Sequence, residues 1–306
     1  MLAALPLVAL LAVGSPATDT VLRVERGDHL HLSRIGGVLH VEATDGSELE
    51  IAVDGWRGGY RLDRDGSQIR VRASSRGHSA DVPREYHVRA PRWLDLEVDG
   101  QEVEVDVRGL RADVSLRIQE GDVRLRDVQG TVSVRALDGG VWLEDVRGNV
   151  NVDAPDDEIL VQRGAGAFVL SSVDGDVDVL DVDARSLEVA TIDGDVRFRG
   201  SLAPGSRSSI TTHDGNITLA LPQDASLEVR ARARQGSFSA SFPIEAKRLR
   251  NGTELEFRMG AGEATLRVET FDGDVRVRGL GENDREQVRR DDRSDQRTRH
   301  SRGEGR

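Results

Sequence analysis

The chain has 306 residues, a formal net charge of −12 and no cysteine. Without cysteine it forms no disulfide, zinc–thiolate site or cysteine nucleophile, and its negative charge argues against a nucleic-acid partner, because phosphate contacts need a basic face. Aromatic residues make up only 4% of the chain, so we expect a core of Val, Leu, Ile and Ala, which suits narrow stacked strands.

The first 17 residues predict a signal peptide. An apolar stretch runs from Met1 and ends in Gly14-Ser15-Pro16-Ala17. It is too short and too interrupted by proline to span a bilayer comfortably, and small residues precede Thr18, as signal peptidase requires. The basic residues that normally open such a segment are missing here. We therefore predict a secreted protein, located in the periplasm or on the cell surface.

Residues 18–110 are rich in predicted strands but keep no strict period. Alternating segments such as Leu30-His31-Leu32 and Leu49-Glu50-Ile51 are separated by turn clusters such as Asp45-Gly46 and Asp65-Gly66. This pattern predicts short strands joined by tight turns. We expect an irregular N-terminal cap that pairs antiparallel at first and covers the open end of a stack, since an uncapped end would expose a strand edge.

Residues 111–280 carry a regular repeat. Glycine recurs every nine residues at 121, 130, 139 and 148, and apolar residues keep fixed offsets between them, as in Val123, Leu125, Val128, then Val132, Val134, Leu137. This is strand alternation followed by a fixed corner residue and a glycine turn. Asp-Gly-Asp or Asp-Gly-Asn returns at 174–176, 193–195, 214–216 and 272–274. The sequence predicts an all-β, right-handed parallel β-solenoid with coils of about 18–21 residues.

Residues 281–306 alternate Asp, Glu and Arg with almost no apolar side chain. Such a segment cannot bury enough surface to offset the entropy of ordering. We predict a disordered charged tail.

The acidic turns have a structural explanation and a metal-binding alternative. Glycine reaches positive φ without steric cost, and Asp can hydrogen-bond its own turn. Calcium-binding β-rolls need Gly-Gly-x-Gly-x-Asp in tandem, and here Asp does not recur in every nine-residue unit. The sequence therefore predicts no metal and no cofactor, although Asp174, Asp176, Asp193 and Asp195 would be the calcium ligands if their turns stack.

No catalytic constellation stands out. The seven histidines are scattered, and neither Gly-x-Ser-x-Gly nor His-x-x-Glu-His occurs. Polysaccharide-cleaving β-helices build a cleft from long loops, whereas the turns predicted here are short. We therefore predict that the protein is not an enzyme and has no small-molecule substrate.

The outward residues of the short strands are the candidate binding residues. Alternation points one aromatic and several arginines to solvent: Trp142, Arg124, Arg126, Arg135, Arg197, Arg199, Arg276 and Arg278. If they align on one sheet, they form a basic stripe that could bind an envelope protein, an anionic glycan or lipid headgroups. The alternative is an ordinary solvated face, balanced by Glu144, Asp153 and Asp178.

The units Asp193–Gly200 and Asp272–Gly279, both of the type Asp-Gly-Asp-Val-Arg-x-Arg-Gly, resemble the bacterial putative-adhesin family of β-strand-repeat domains. The opening strands, Ile35–Val41 and Glu48–Ile51, resemble that family as well, and the likeness extends over roughly 30–280. The resemblance implies a secreted or envelope protein with no established activity.

The leading functional hypothesis is an adhesin-like or protein-interaction scaffold of the bacterial envelope or surface. The alternatives are an envelope-stress accessory protein that binds a membrane signalling partner and, third, a carbohydrate-active enzyme. The oligomeric state is open.

Overall fold

The computed structural model describes residues 20–54, 60–73, 84–241, 246–250 and 254–280. The predicted signal peptide over 1–17 and the predicted tail over 281–306 lie outside these residues. The described part contains no helix long and apolar enough to cross a membrane.

The expectation of an all-β protein is confirmed, because every regular element of the described chain is a strand. In chain order the strands are β1 Thr20–Arg23, β2 His29–Thr44, β3 Glu48–Asp54, β4 Tyr60–Asp65, β5 Gln68–Ala73, β6 Glu85–Pro91, β7 Asp95–Arg108, β8 Val114–Glu120, β9 Val123–Arg126, β10 Gln129–Asp138, β11 Val141–Glu144 and β12 Arg147–Asp153. They continue as β13 Ile159–Gln162, β14 Ala165–Ser171, β15 Val177–Ala190, β16 Val196–Leu202, β17 Arg207–Asp214, β18 Ile217–Pro222, β19 Leu227–Gln235, β20 Phe238–Ala240, β21 Ala246–Arg250, β22 Glu254–Met259, β23 Ala264–Asp272 and β24 Val275–Leu280.

Two ladders of parallel strands run side by side through the middle of the chain. The long-strand ladder pairs β8, β10, β12 and β14 in succession and continues into the second half of β15 and into β17. The short-strand ladder pairs β9, β11 and β13 and continues into the first half of β15, then β16 and β18. One repeat therefore contributes one strand to each ladder. The hand of the winding stays a prediction.

The nine-residue glycine spacing of the sequence consists of two interleaved 18-residue periods. Gly130 pairs with Gly148 on the long-strand ladder, whereas Gly139 lies against Gly121 at a corner, where an added Cβ would meet the Gly121 carbonyl oxygen at 2.3 Å. Alternate glycines thus occupy two different places in the repeat. Because β10 continues to Asp138, its buried side is Val132, Val134 and Ala136.

The apolar corner residues therefore differ in burial between the two kinds of unit. Val128 is buried, whereas the side chain of Leu137 is 43% exposed, because it follows buried Ala136 in strand alternation.

The inward side chains of both ladders form a single hydrophobic core. Aliphatic residues dominate it, and its largest fully buried side chains are Tyr86, Phe168, Phe198 and Phe257. Small branched side chains allow neighbouring repeats to stack at about 4.8 Å, the ordinary spacing of paired strands.

Antiparallel pairs occur at both ends of the stack. Near the N-terminus β3 pairs antiparallel with β1 and β6, and β4 pairs with β5. Beyond β18, β22 pairs antiparallel with β19 and β21. The strand β23 lies between β17 and β19, so the last repeat in sequence is not the last in space. The predicted boundary between cap and regular solenoid at 110 and 111 stays a prediction.

Candidate functional site

The short-strand ladder brings seven of the predicted binding residues to one face. Strand register aligns them in two neighbouring outward columns. The first column is Asp106, Arg124, Trp142, Leu160, Asp178, Arg197, Thr218 and Arg276, and the second is Arg108, Arg126, Glu144, Gln162, Leu180, Arg199, Ala220 and Arg278. We call these two columns the short-strand face. Arg135 lies elsewhere, on β10 of the long-strand ladder.

The short-strand face has mixed charge and is not a basic stripe. Acidic residues interrupt both columns, and the nearest carboxylates pair with the arginines. The pairs and their shortest N–O distances are Arg124–Asp122 at 2.7 Å, Arg126–Glu144 at 3.4 Å, Arg197–Asp178 at 2.5 Å, Arg199–Asp181 at 2.7 Å and Arg276–Asp274 at 2.8 Å. Arg135 pairs with Asp153 at 3.4 Å on the other ladder. Pairs this exposed contribute little stability each. The paired acids beside the columns, Asp122, Asp181 and Asp274, offset most of the columns' excess of arginine over acid.

Trp142 is the aromatic centre of the face. Its ring is half-buried, and the guanidinium of Arg124 lies over it, 4.7 Å from the ring centroid. The six-membered ring of Trp142 also lies against Gly140, where an added Cβ would come within 2.3 Å of it. Beside the ring a shallow groove of about 370 Å³ is lined by Leu160, Gln162 and Arg126. The groove offers an apolar wall with charged groups at its rim.

Asp106, at one end of the first column, is held in its charged form. Burial opposes ionisation of Asp106, but the hydrogen bond from Arg108 and the charges of Arg108 and Arg126 outweigh it, so the pKa of Asp106 lies below its usual value. The hydrogen bond to Asp178 raises the pKa of Arg197. The face therefore presents fixed opposite charges at neutral pH.

The Asp-Gly-Asp corners contain a hydroxyl that sequence reasoning missed. Two residues before each first acid lies a buried polar residue: Ser172, Thr191, Thr212 or Thr270. Thr212 donates to the Gly194 carbonyl at 3.0 Å, and Thr270 donates to the Gly215 carbonyl at 3.0 Å. The fuller motif is Ser/Thr-x-Asp-Gly-Asp/Asn, and its constant hydroxyl was the signal available in the sequence.

The second acid of each corner links neighbouring repeats. A carboxylate oxygen of Asp176 accepts the backbone N–H of Asp195 at 2.9 Å, and one of Asp195 accepts that of Asn216 at 2.8 Å. The glycines make the same stacking feasible, because a Cβ at Gly215 would lie 2.1 Å from the Gly194 carbonyl oxygen. These corners are built for stacking, and two of the four candidate calcium ligands accept backbone hydrogen bonds.

Within the described residues, ligand atoms of His31, Glu97 and Asp99 come close enough together to hold a metal. Arg117 donates to both acids, at 2.6 Å to Glu97 and 3.3 Å to Asp99. His31 Nε2 lies 2.7 Å from the Asp99 carboxylate. The Arg117 guanidinium already pairs with both carboxylates, so the cluster fits an ion-pair network better than a cation site.

Comparison with known proteins gives one family match and several similar solved structures. Residues 162–278 match the family described as Toastrack DUF4097, whereas no curated protein matches the chain. A putative adhesin from Bacteroides fragilis is similar at 10% identity, covering 87% of this chain and 98% of its own, with a TM-score of 0.40.

Two further solved structures are similar at the same level. A putative adhesin from Parabacteroides merdae shares 12% identity over 87% of this chain and 96% of its own, with a TM-score of 0.39. A putative lipid binding protein from Parabacteroides distasonis shares 8% identity over 87% and 97%, with a TM-score of 0.40. The match of residues 162–278 to the Toastrack DUF4097 family confirms the resemblance to a putative-adhesin domain of unknown function.

Proposed function

We propose that this is an exported, non-enzymatic protein of the bacterial envelope or surface that works as an adhesin-like interaction scaffold. Its strands would wind as a right-handed parallel β-solenoid, since right-handed connections dominate between parallel strands. The observation that carries the proposal is the alignment of Trp142 with six outward arginines in two neighbouring columns of one ladder.

The chemistry of the short-strand face favours a protein partner. Its fixed pattern of opposite charges provides specificity through complementarity, whereas a simple polyanion would need a net basic surface. Aromatic and arginine side chains are the residue types enriched at the centres of protein interfaces. Trp142, with Arg124 over its ring and a groove beside it, is the anchor that such an interface needs.

The proposal is tested by a pull-down from envelope extract of the host organism, using the chain without its predicted signal peptide. The test variant is Trp142→Ala/Arg197→Ala/Arg199→Ala, and the matched control is Arg135→Ala, an outward arginine of the other ladder. We expect a defined protein partner that is retained by the control and weakened at least tenfold by the triple variant, as for an interface hot spot.

Two outcomes contradict the proposal. Equal recovery of the partner by the triple variant would mean that the interaction does not run through this face. Retention only by isolated anionic glycan would replace the protein partner with glycan adhesion.

A further inference from the structure

Exposed apolar side chains of the described chain form a ridge along one corner of the stack. Six large hydrophobic side chains of this part of the chain are exposed, and four of them lie on this corner: Leu137, Val173, Ile192 and Phe271, with exposures of 43%, 39%, 49% and 38%. Pro155 and His213 occupy the same position in the intervening repeats. We call these six residues the corner ridge.

Contacts between repeats place the members of the corner ridge next to one another. The backbone N–H of Val173 donates to Pro155, that of Ile192 to Val173 and that of His213 to Ile192. The rings of His213 and Phe271 stack at 4.8 Å between centroids. Leu137 lies two residues beyond Arg135, and Pro155 two residues beyond Asp153, and those two residues are paired. The ridge is therefore continuous over six repeats, although its first and last members, Leu137 and Phe271, are 134 residues apart in the sequence.

An acidic column runs directly beside the corner ridge. The residue after each ridge member is an exposed aspartate: Asp138, Asp156, Asp174, Asp193, Asp214 and Asp272. Asp193 and Asp214 are paired across neighbouring repeats. In the described part of the chain, the carboxylates of this column make no hydrogen bond or ion pair. This separates them from the second acids of the same corners, such as Asp195, which hold the next repeat.

We propose that the corner ridge and the acidic column together bind a basic amphipathic α-helix of a partner protein. The two features run in parallel, so the occupant must present an apolar stripe with a cationic stripe beside it. Charge complementarity selects Lys or Arg for the second stripe, because a row of unpaired carboxylates attracts cations and repels anions.

The spacing of the ridge selects a helix as the occupant. Repeats stack at about 4.8 Å, close to the helical pitch of about 5.4 Å, so successive turns of a helix meet successive repeats. Six positions at that spacing span about 24 Å, which corresponds to about 16 helical residues. An extended strand repeats its side chains every ~6.8 Å on one face and falls out of step with the ridge.

The acidic column also argues against two other occupants. A bilayer with anionic lipids would be repelled by the same carboxylates that attract a basic helix. A second copy of this chain carries the same net charge of −12 and would place one acidic column against another acidic surface. The proposed binding site is separate from the short-strand face, so this inference does not depend on the function proposed above.

The test measures binding of a synthetic 18-residue helical peptide to the full chain by fluorescence anisotropy. The peptide carries leucines along one stripe and arginines along the adjoining stripe. A scrambled peptide of the same composition keeps the charge and removes the two stripes. We expect the ordered peptide to bind at least tenfold more tightly than the scrambled one, and binding to weaken as salt is raised.

Two exposed double variants report on the two parts of the site. Val173→Ser/Ile192→Ser removes the apolar contacts, and Asp193→Asn/Asp214→Asn removes two charges while keeping the shape. Each should weaken the ordered peptide by at least tenfold. Val169→Ser, another exposed aliphatic residue at 44% exposure, and Trp142→Ala on the short-strand face should leave binding unchanged.

The inference is overturned if the scrambled peptide binds as well as the ordered one, or if Val169→Ser weakens binding as much as the ridge variant does. Binding to neutral phosphatidylcholine vesicles in preference to the peptide would also overturn it, in favour of a lipid surface.

Discussion

The corners of the early and late repeats both stack against the backbone of the preceding repeat, but they differ in the buried residue two positions before the first acid. Early corners, around Gly121, Gly139 and Asp157, have an apolar side chain at the buried position before the first acid: Ile118, Ala136 or Ala154. Late corners, around Gly175, Gly194, Gly215 and Gly273, have Ser172, Thr191, Thr212 or Thr270 there. The late hydroxyls bond to carbonyls of the preceding repeat, whereas the early side chains pack only against the core.

This difference shows which corner position stacking restricts mostly to glycine and which it leaves variable. In both sets the glycine contacts the backbone of the preceding repeat: a Cβ at Gly139 would lie 2.3 Å, and one at Gly215 2.1 Å, from a carbonyl oxygen. At these glycines no side chain fits in that space, whereas the corner at residues 156 and 157 has an aspartate in the glycine position. The buried position two residues before the first acid accepts either an apolar group or a hydroxyl that finds a partner, in keeping with the rule that buried polar groups are hydrogen-bonded.

The largest expected effect comes from the glycine that both corners share. Gly215→Ala should lower the free energy of unfolding by about 3 kcal/mol, because a methyl group must displace backbone of the neighbouring repeat. Gly139→Ala should cost as much, since its φ of 137° adds strain to the same clash. Urea unfolding monitored by circular dichroism measures both.

The control for these glycine variants is Gly46→Ala, whose added Cβ would meet nothing closer than 3.9 Å. Its stability should stay within about 0.5 kcal/mol of wild type. A large loss at Gly215 with none at Gly139 would show that early and late corners do not stack alike.

The next effect distinguishes the late corners from the early ones. Thr270 is fully buried, and Thr270→Val removes its hydrogen bond to the Gly215 carbonyl with almost no change in shape. The expected cost is about 1 kcal/mol in the free energy of unfolding, measured by the same urea titration. Thr211→Val, on an exposed position of β17, should change stability by less than about 0.5 kcal/mol. If Thr270→Val is neutral, the hydroxyl gives the late corners no advantage over the apolar filling of the early ones.

The smallest effect divides the two acids of a single late corner. Asp195 accepts the backbone and side-chain N–H groups of Asn216 at 2.8 and 3.1 Å, so Asp195→Ala should cost up to about 1 kcal/mol. Asp193→Ala removes the same charge from a carboxylate with no bonded partner in the described structure, and we expect no loss of stability. Thermal melts of the two variants, run in parallel, provide the comparison. Equal losses would mean that the first acid is also part of the stacking framework.

Much of this architecture could be predicted from sequence because it is local and periodic. Strand alternation, glycine spacing and the turn residues specify an all-β repeat, and outward alternation placed Trp142 and six arginines on one face. Their charge balance could not be predicted, because the pairing of Arg197 with Asp178 depends on which repeats become neighbours. The different burial of the corner residues Val128 and Leu137 could not be predicted either, because nine-residue units hide the alternation of a long and a short strand.

The corner ridge and the acidic column were also beyond sequence reasoning. Members of the ridge in adjacent repeats are separated by 18, 19, 21 or 58 residues in the sequence, and so are members of the acidic column. Only the register of the folded stack shows that Ile192, His213 and Phe271 are neighbours.

The position of β23 between β17 and β19 has a consequence for how the chain reaches its native state. During synthesis β17 and β19 are complete before β23 is made. The strand that lies between them in the long-strand ladder therefore becomes available only later. Winding from one end cannot by itself produce this order. We expect the early repeats to form first and residues 264–280 to insert late between strands that are already present. Such a late, non-local step slows folding. A chain truncated before residue 264 would keep its early repeats but leave β19 without β23, the strand that joins it to the long-strand ladder.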